Sequence, residues 1–80
     1  MRYYFHVKDG QEFLDSEGSE VESFEALKDE AVKTCGEMIR GLKQLPDFWS
    51  GEPWTLWVTD GPGGTGRTVL QLRFTATLSD

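Results

Sequence analysis

Residues 2–8, RYYFHVK, alternate without interruption, and both halves of the alternation carry aromatic rings. Period-two patterning marks a strand, so Tyr3, Phe5 and Val7 point to one side and Tyr4, His6 and Lys8 to the other. A strand with one face against a core accounts for only one of these sets. Any fold for this chain must therefore give two sheet faces a use. Asp9-Gly10 follows and suits a two-residue type I′ turn, whose central positions need positive φ. That turn predicts a hairpin in which Val7 faces Glu12, His6 faces Phe13, Phe5 faces Leu14 and Tyr4 faces Asp15, and a slip of one residue would exchange Phe13 and Leu14.

Ser23 can cap a helix whose first turns hold Glu25, Asp29 and Glu30, where the macrodipole favours negative charge. Phe24, Leu27, Ala31, Cys35, Met38 and Leu42 recur at helical spacing, and Pro46 requires the helix to end between Gly41 and Pro46. The segment PDFWSGEP reads as a loop that folds Phe48 and Trp49 back over an end of the core. Two further strands follow. In WTLWVTD, Trp54, Leu56 and Val58 alternate with Thr55, Trp57 and Thr59; in RTVLQLRFTA, Leu70, Leu72 and Phe74 alternate with Arg67, Val69, Gln71 and Arg73. The order ββαββ predicts a single α+β domain over residues 1–80, a two-layer fold with a four-stranded, mainly antiparallel sheet and one helix on one face.

Eighty residues support only a small core, so stability is expected to be modest and a dimer or partner would help. The N-terminus carries no secretory pattern, and no apolar run approaches the roughly 20 residues that cross a bilayer, so a cytoplasmic protein without membrane attachment is expected. Cys35 is the single cysteine and His6 the single histidine. They form no disulfide and fall short of a four-ligand zinc site, and parity places them on opposite sides of the sheet, so a Cys/His nucleophilic pair is not expected either. The net charge of −6 disfavours general nucleic-acid binding. Residues 9–22 carry Asp9, Glu12, Asp15, Glu17, Glu20 and Glu22 and no base, which accounts for the whole imbalance.

Two motifs imitate cofactor sites. GPGGTGRT contains G-x-G-x-x-G at Gly61, Gly63 and Gly66 and approximates a P-loop, but Arg67 replaces the lysine and a strand, not a helix, follows. It reads as a hairpin connection. The acidic turn DSEGSEVE, with Asp15, Glu17 and Glu20 around Gly18, resembles a Ca²⁺ loop but lacks EF-hand spacing, and a solvated turn is the simpler reading. No metal, cofactor or small-molecule substrate is expected, and no catalytic residues can be named.

Alternation places Tyr3, Phe5, Leu14, Leu56, Val58, Leu70, Leu72 and Phe74 beneath the helix. The reverse side then presents Tyr4, His6, Phe13, Trp57 and Val69, edged by Arg2, Lys8, Arg67 and Arg73. Aromatic and Arg residues are enriched at interfaces, so this aromatic and basic face is expected to bind a protein partner or a second copy, unless residues 43–53 fold across it. The expected contact residues are Tyr4, His6, Phe13, Trp57, Arg67 and Arg73. The leading reading is a non-enzymatic binding or regulatory module that self-associates. Alternatives are a single-stranded nucleic-acid binder that stacks bases on those rings, and a small acidic inhibitor of a nucleoprotein complex that uses residues 9–22 as a phosphate mimic.

The stretches RYYFHVKDG, D-S-E-G-S-E, S-F-E-A-L-K-D-E-A, W-T-L-W-V-T-D and V-L-Q-L-R-F together resemble a family of small bacterial proteins of unknown function. Its members read R-Y-F-F-H-V-x-D-G, D-x-E-G-x-E, an E-A helix, V-T-D and V-L-x-L-x-F. The likeness covers nearly the whole chain, departing at the GPGGTG loop and at Ser23, where the family often has Asp. It implies one small α+β domain and no particular activity.

Overall fold

The computed structural model describes residues 1–42 and 46–79. Strand β1 (Arg2–Lys8) is followed by two short strands, β2 (Glu12–Phe13) and β3 (Ser19–Glu20). Helix α1 (Phe24–Leu42), the single turn α2 (Pro46–Trp49), β4 (Trp54–Thr59) and β5 (Thr68–Phe74) complete the chain, with a 3-10 turn at Pro62–Gly64 between the last two strands. The expected α+β fold is present, but its sheet has five strands, in the order β2-β1-β4-β5, with β3 also pairing β1. Every pairing is antiparallel. The predicted second strand shortens to Glu12–Phe13, and β3 forms within the stretch expected to be a solvated acidic turn; both lie along the outer edge of β1.

Helix α1 starts where Ser23 Oγ accepts the Ala26 N–H at 3.1 Å, satisfying one of the donors a helix N-terminus leaves open. Leu27, Ala31 and Cys35, one turn apart, are buried against the sheet, and Ile39 continues the row. Phe24 and Met38 leave that row: both are exposed, and Phe24 packs instead beneath Lys28, whose Nζ lies 5.8 Å from the ring centre. The side chain of Leu42, the last of the predicted row, lies outside the described residues, as do residues 43–45.

Two clusters share the interior. Val7, Ala31, Cys35, Trp54 and Leu56 form one, and Tyr3, Val21, Leu27 and Val58 the other; Phe5 and Leu70 touch both. Phe48 packs on the first cluster, so α2 does turn back over the core, on the helix side. Among the described residues, then, the loop after α1 does not cross the opposite face. Leu14, expected beneath the helix, is outside the strands and exposed.

Two departures from simple alternation reposition side chains. The β1–β2 register is Val7 with Phe13 and Lys8 with Glu12, one residue away from the predicted hairpin. Gln11 joins the turn beside Gly10 (φ 103°), and Lys8 gains an opposite charge directly across the ladder. Phe13 consequently shares the side of Val7, toward the helix. Between β4 and β5 the register shifts after Val58, which faces Leu70, while Thr59 faces Thr68. Val69 is the extra residue of this bulge and packs on the Leu27 and Val58 cluster rather than on the open side. Among the described residues, no helix is long and apolar enough to cross a membrane.

Candidate functional site

Asp15 organises one half of the sheet face that the helix leaves uncovered. Asp favours turns because its carboxylate accepts from backbone groups a little further along. Here Oδ1 accepts the N–H groups of Glu17 at 3.0 Å and Gly18 at 3.1 Å. Oδ2 accepts the Phe5 N–H at 3.1 Å, in the gap between β2 and β3 where β1 has no strand partner. A side chain thus completes the edge of the sheet. Burial opposes ionisation of this carboxyl, but the Gly18, Phe5 and Glu17 amides and the nearby His6 outweigh it, and the pKa falls below its ordinary value.

The backbone of Asp15 fixes His6. Its N–H donates to His6 Nδ1 at 3.0 Å, so the ring proton sits on Nε2, which donates to Thr59 Oγ1 at 2.8 Å. The Thr59 hydroxyl in turn donates a hydrogen bond to the Gly61 carbonyl at 2.7 Å. His6 and Thr59 are both wholly enclosed. Burial lowers the His6 pKa, partly countered by the Asp15 and Glu12 carboxylates. Gly63 of the 3-10 turn donates to the Asp15 carbonyl at 2.9 Å, so the GPGGTG loop is tied down over the same end of the face. Gly18 (φ 76°) lies so close to Tyr4 and Arg2 that a Cβ there would meet both side chains at 2.8 Å.

The other half of the face stays open. Lys8, Glu12, Thr55, Trp57, Gln71 and Arg73 line a shallow groove of about 260 Å³. The ladder sets this row, with Lys8 opposite both Glu12 and Thr55, Thr55 opposite Arg73, and Trp57 opposite His6 and Gln71. Half-buried Trp57 rests on the His6 ring, with centroids 5.1 Å apart and planes tilted by 42°. The groove offers an aromatic floor between two cations and a carboxylate. That chemistry can hold a side chain together with a charged or amide group. Among the described residues, no three His, Cys, Asp or Glu side chains gather in a way that could hold a metal ion.

The predicted contact residues separate accordingly. Trp57 and Arg73 meet in the groove. Tyr4 is half-buried beneath Gly18, and Arg67 is exposed at the start of β5, with its backbone N–H bonded to Asp60. Two placements are corrected. His6 faces the expected side but is covered by the Asp15 turn and reaches no solvent, and Phe13, by its register with Val7, lies on the helix side at the sheet edge. In the acidic turn, Asp15 points inward, Glu20 pairs with the Met1 amino group and Arg2 at 3.4 and 3.5 Å, and Glu17 is exposed, while its carbonyl accepts from Arg2. Cys35 is buried against the opposite face, with its thiol pKa raised by desolvation.

Glu12, Thr55 and Gln71 belong to the groove without having been singled out by sequence. Alternation already put Thr55 and Gln71 on the side of Trp57. Glu12 was traceable only through its charge, which complements Lys8 in one of the two possible hairpin registers. Thr59, the partner of His6, carried no local signal.

No curated protein and no solved structure matches the chain. A family model, Domain of unknown function (DUF6894), matches residues 2–75, spanning every strand and the whole of α1, and the chain belongs to that family.

Proposed function

We propose that this domain is a non-enzymatic protein-binding or regulatory module that acts through the open half of its sheet face and self-associates. The observation that carries this reading is the placement of Trp57. Its ring is held at a fixed tilt on an enclosed histidine, and Lys8 and Arg73 stand beside it. Trp and Arg are the residue types that most often dominate binding energy, chiefly when they are pre-organised. The groove suits an extended polypeptide that lays an apolar side chain on Trp57 and presents a carboxylate to Lys8 or Arg73.

The rival readings draw less support from the geometry. Base stacking needs successive exposed rings, whereas His6 is enclosed and Phe13 faces the other way. A phosphate mimic needs free carboxylates, and two of the six in residues 9–22 are engaged within the fold: Asp15 holds three backbone amides and Glu20 is ion-paired.

The test is affinity capture from the native host with the wild-type protein, the Lys8→Glu and Arg73→Glu variants, and Phe24→Ala as a control on the helix. All three positions are exposed, so the fold should survive. At least one captured protein should be lost with both groove variants and kept with Phe24→Ala. The reading fails if nothing captured depends on the groove.

A further inference from the structure

The two edges of the sheet are treated differently. Along β1, the outer edge is closed by β2, by the Asp15 carboxylate and by β3. Along β5, among the described residues, no strand pairs with the outer side. That open edge runs from Thr68 to Phe74 and contains no Pro, and of the charged side chains that also blunt exposed edges it carries one, Arg73, near its end. Its one bulge, at Val69, lies at its start. Beside it, Lys28, Ala31, Val32, Leu70, Gln71 and Leu72 line a cleft of about 200 Å³ between α1 and β5, and Val32 is 63% exposed.

We infer that β5 pairs antiparallel with β5 of a second copy, about a two-fold axis at Gln71. The sequence Leu70-Gln71-Leu72 is self-complementary in that register. Gln71 meets Gln71 and Leu70 meets Leu72 on the helix side, and Arg73 falls beside the Val69 bulge rather than beside its own counterpart, so no like charges oppose each other. A second copy on this edge would also cover the apolar cleft beside Leu70 and Leu72, Val32 included.

The pairing takes up only the self-association in the proposed function and is independent of what the groove binds. It does define the shape of the binding surface. Trp57 faces Gln71 across β4 and β5, so Trp57, Gln71 and their two counterparts would stand in one row on the same side of a continuous sheet. Three strand spacings of about 4.8 Å put the two Trp57 positions about 14 Å apart, and the two grooves adjoin.

Gln71 is exposed, so changing it leaves the monomer fold alone. Gln71→Glu and Gln71→Lys each place like charges on the axis, and each should weaken dimerisation about three- to fivefold, the effect of like charges directly opposed on neighbouring strands. An equimolar mixture of the two variants should restore the dimer. Sedimentation velocity from 1 to 100 µM reads all three, circular dichroism and thermal melting confirm the fold, and amide exchange along Thr68–Phe74 should slow as the wild-type concentration rises. A wild-type protein that remains monomeric, or a mixture that associates no better than either variant alone, overturns the inference. Lys8→Glu lies away from β5 and should leave the dimer intact, so loss of groove binding and loss of dimerisation are read separately.

Discussion

Asp15→Asn is the sharpest single test of how the sheet edge is closed. The substitution keeps the size of the side chain and removes one acceptor oxygen. Asp15 receives the Phe5 N–H on Oδ2 and the Glu17 and Gly18 N–H groups on Oδ1. Whichever way the amide turns, its NH₂ confronts at least one backbone donor, and the turn that leaves only Phe5 unmet is the less costly. An unmet, partly buried donor costs about 1–3 kcal/mol, and the two retained bonds weaken because the acceptor is no longer charged. A destabilisation of about 2 kcal/mol is expected, and with about 4–8 °C per kcal/mol for a domain of this size the melting temperature should fall by roughly 8–16 °C. Urea unfolding measures the first quantity and calorimetry the second. Amide exchange gives the local readout, because the Phe5 N–H should lose its protection ahead of the other β1 amides. The variant should also lose part of the acid response. The Asp15 carboxyl titrates below its ordinary 3.8 in the fold, so its contribution is present above that value and is lost as pH falls below it. A variant within 0.5 kcal/mol of wild type, by the order-of-magnitude scale for ordinary surface changes, with Phe5 exchange unaltered, would refute the claim that this side chain seals β1.

Further outcomes follow from the same geometry. His6 is neutral in the fold with a lowered pKa, so the unfolded chain binds its proton first: stability should be full above about pH 6.5 and decline as pH falls below it, and His6→Phe should flatten that part of the profile while costing about 1–3 kcal/mol, chiefly for the stranded Asp15 N–H, since the Thr59 hydroxyl keeps its bond to Gly61, in urea titrations. Gly18→Ala should cost roughly 2–3 kcal/mol, and Gly10→Ala only about 1, because both have positive φ but only Gly18 also abuts Arg2 and Tyr4; paired denaturation curves compare them. Cys35 should react with a thiol reagent at pH 8 at the rate of unfolding rather than at that of a free thiol, since the sulfur is buried and its pKa is raised.

Much of this architecture was legible from spacing alone. The parity of β1, β4 and β5 separates Phe5, Val7, Leu56, Val58, Leu70 and Leu72 from Trp57, Gln71 and Arg73, and the ladders bear it out. Ser23 announced the helix and capped it. What escaped was decided at a distance. Val69 changed sides because a bulge breaks the period, and no residue within β5 signals that. Phe13 changed sides because the hairpin turn took three residues, so that Lys8 meets Glu12 and Asp15 falls beside Phe5. His6 was enclosed because the Asp15 turn and the glycine loop meet over it, a contact between segments nearly fifty residues apart in the chain. Local alternation assigns a side chain to a face but does not say what later folds over that face. Of the six groove residues, Trp57 and Arg73 were therefore visible as contacts, whereas Glu12, and Thr59 behind His6, were not.

The carboxylate plug beside Phe5 also governs how far copies of this chain can grow together. A sheet with both flanks bare can recruit neighbours at each end and lengthen into a fibril; here one flank is already stoppered by the molecule's own turn. If β5 pairs as inferred, addition through the remaining flank consumes it, and growth by strand addition would halt at a pair.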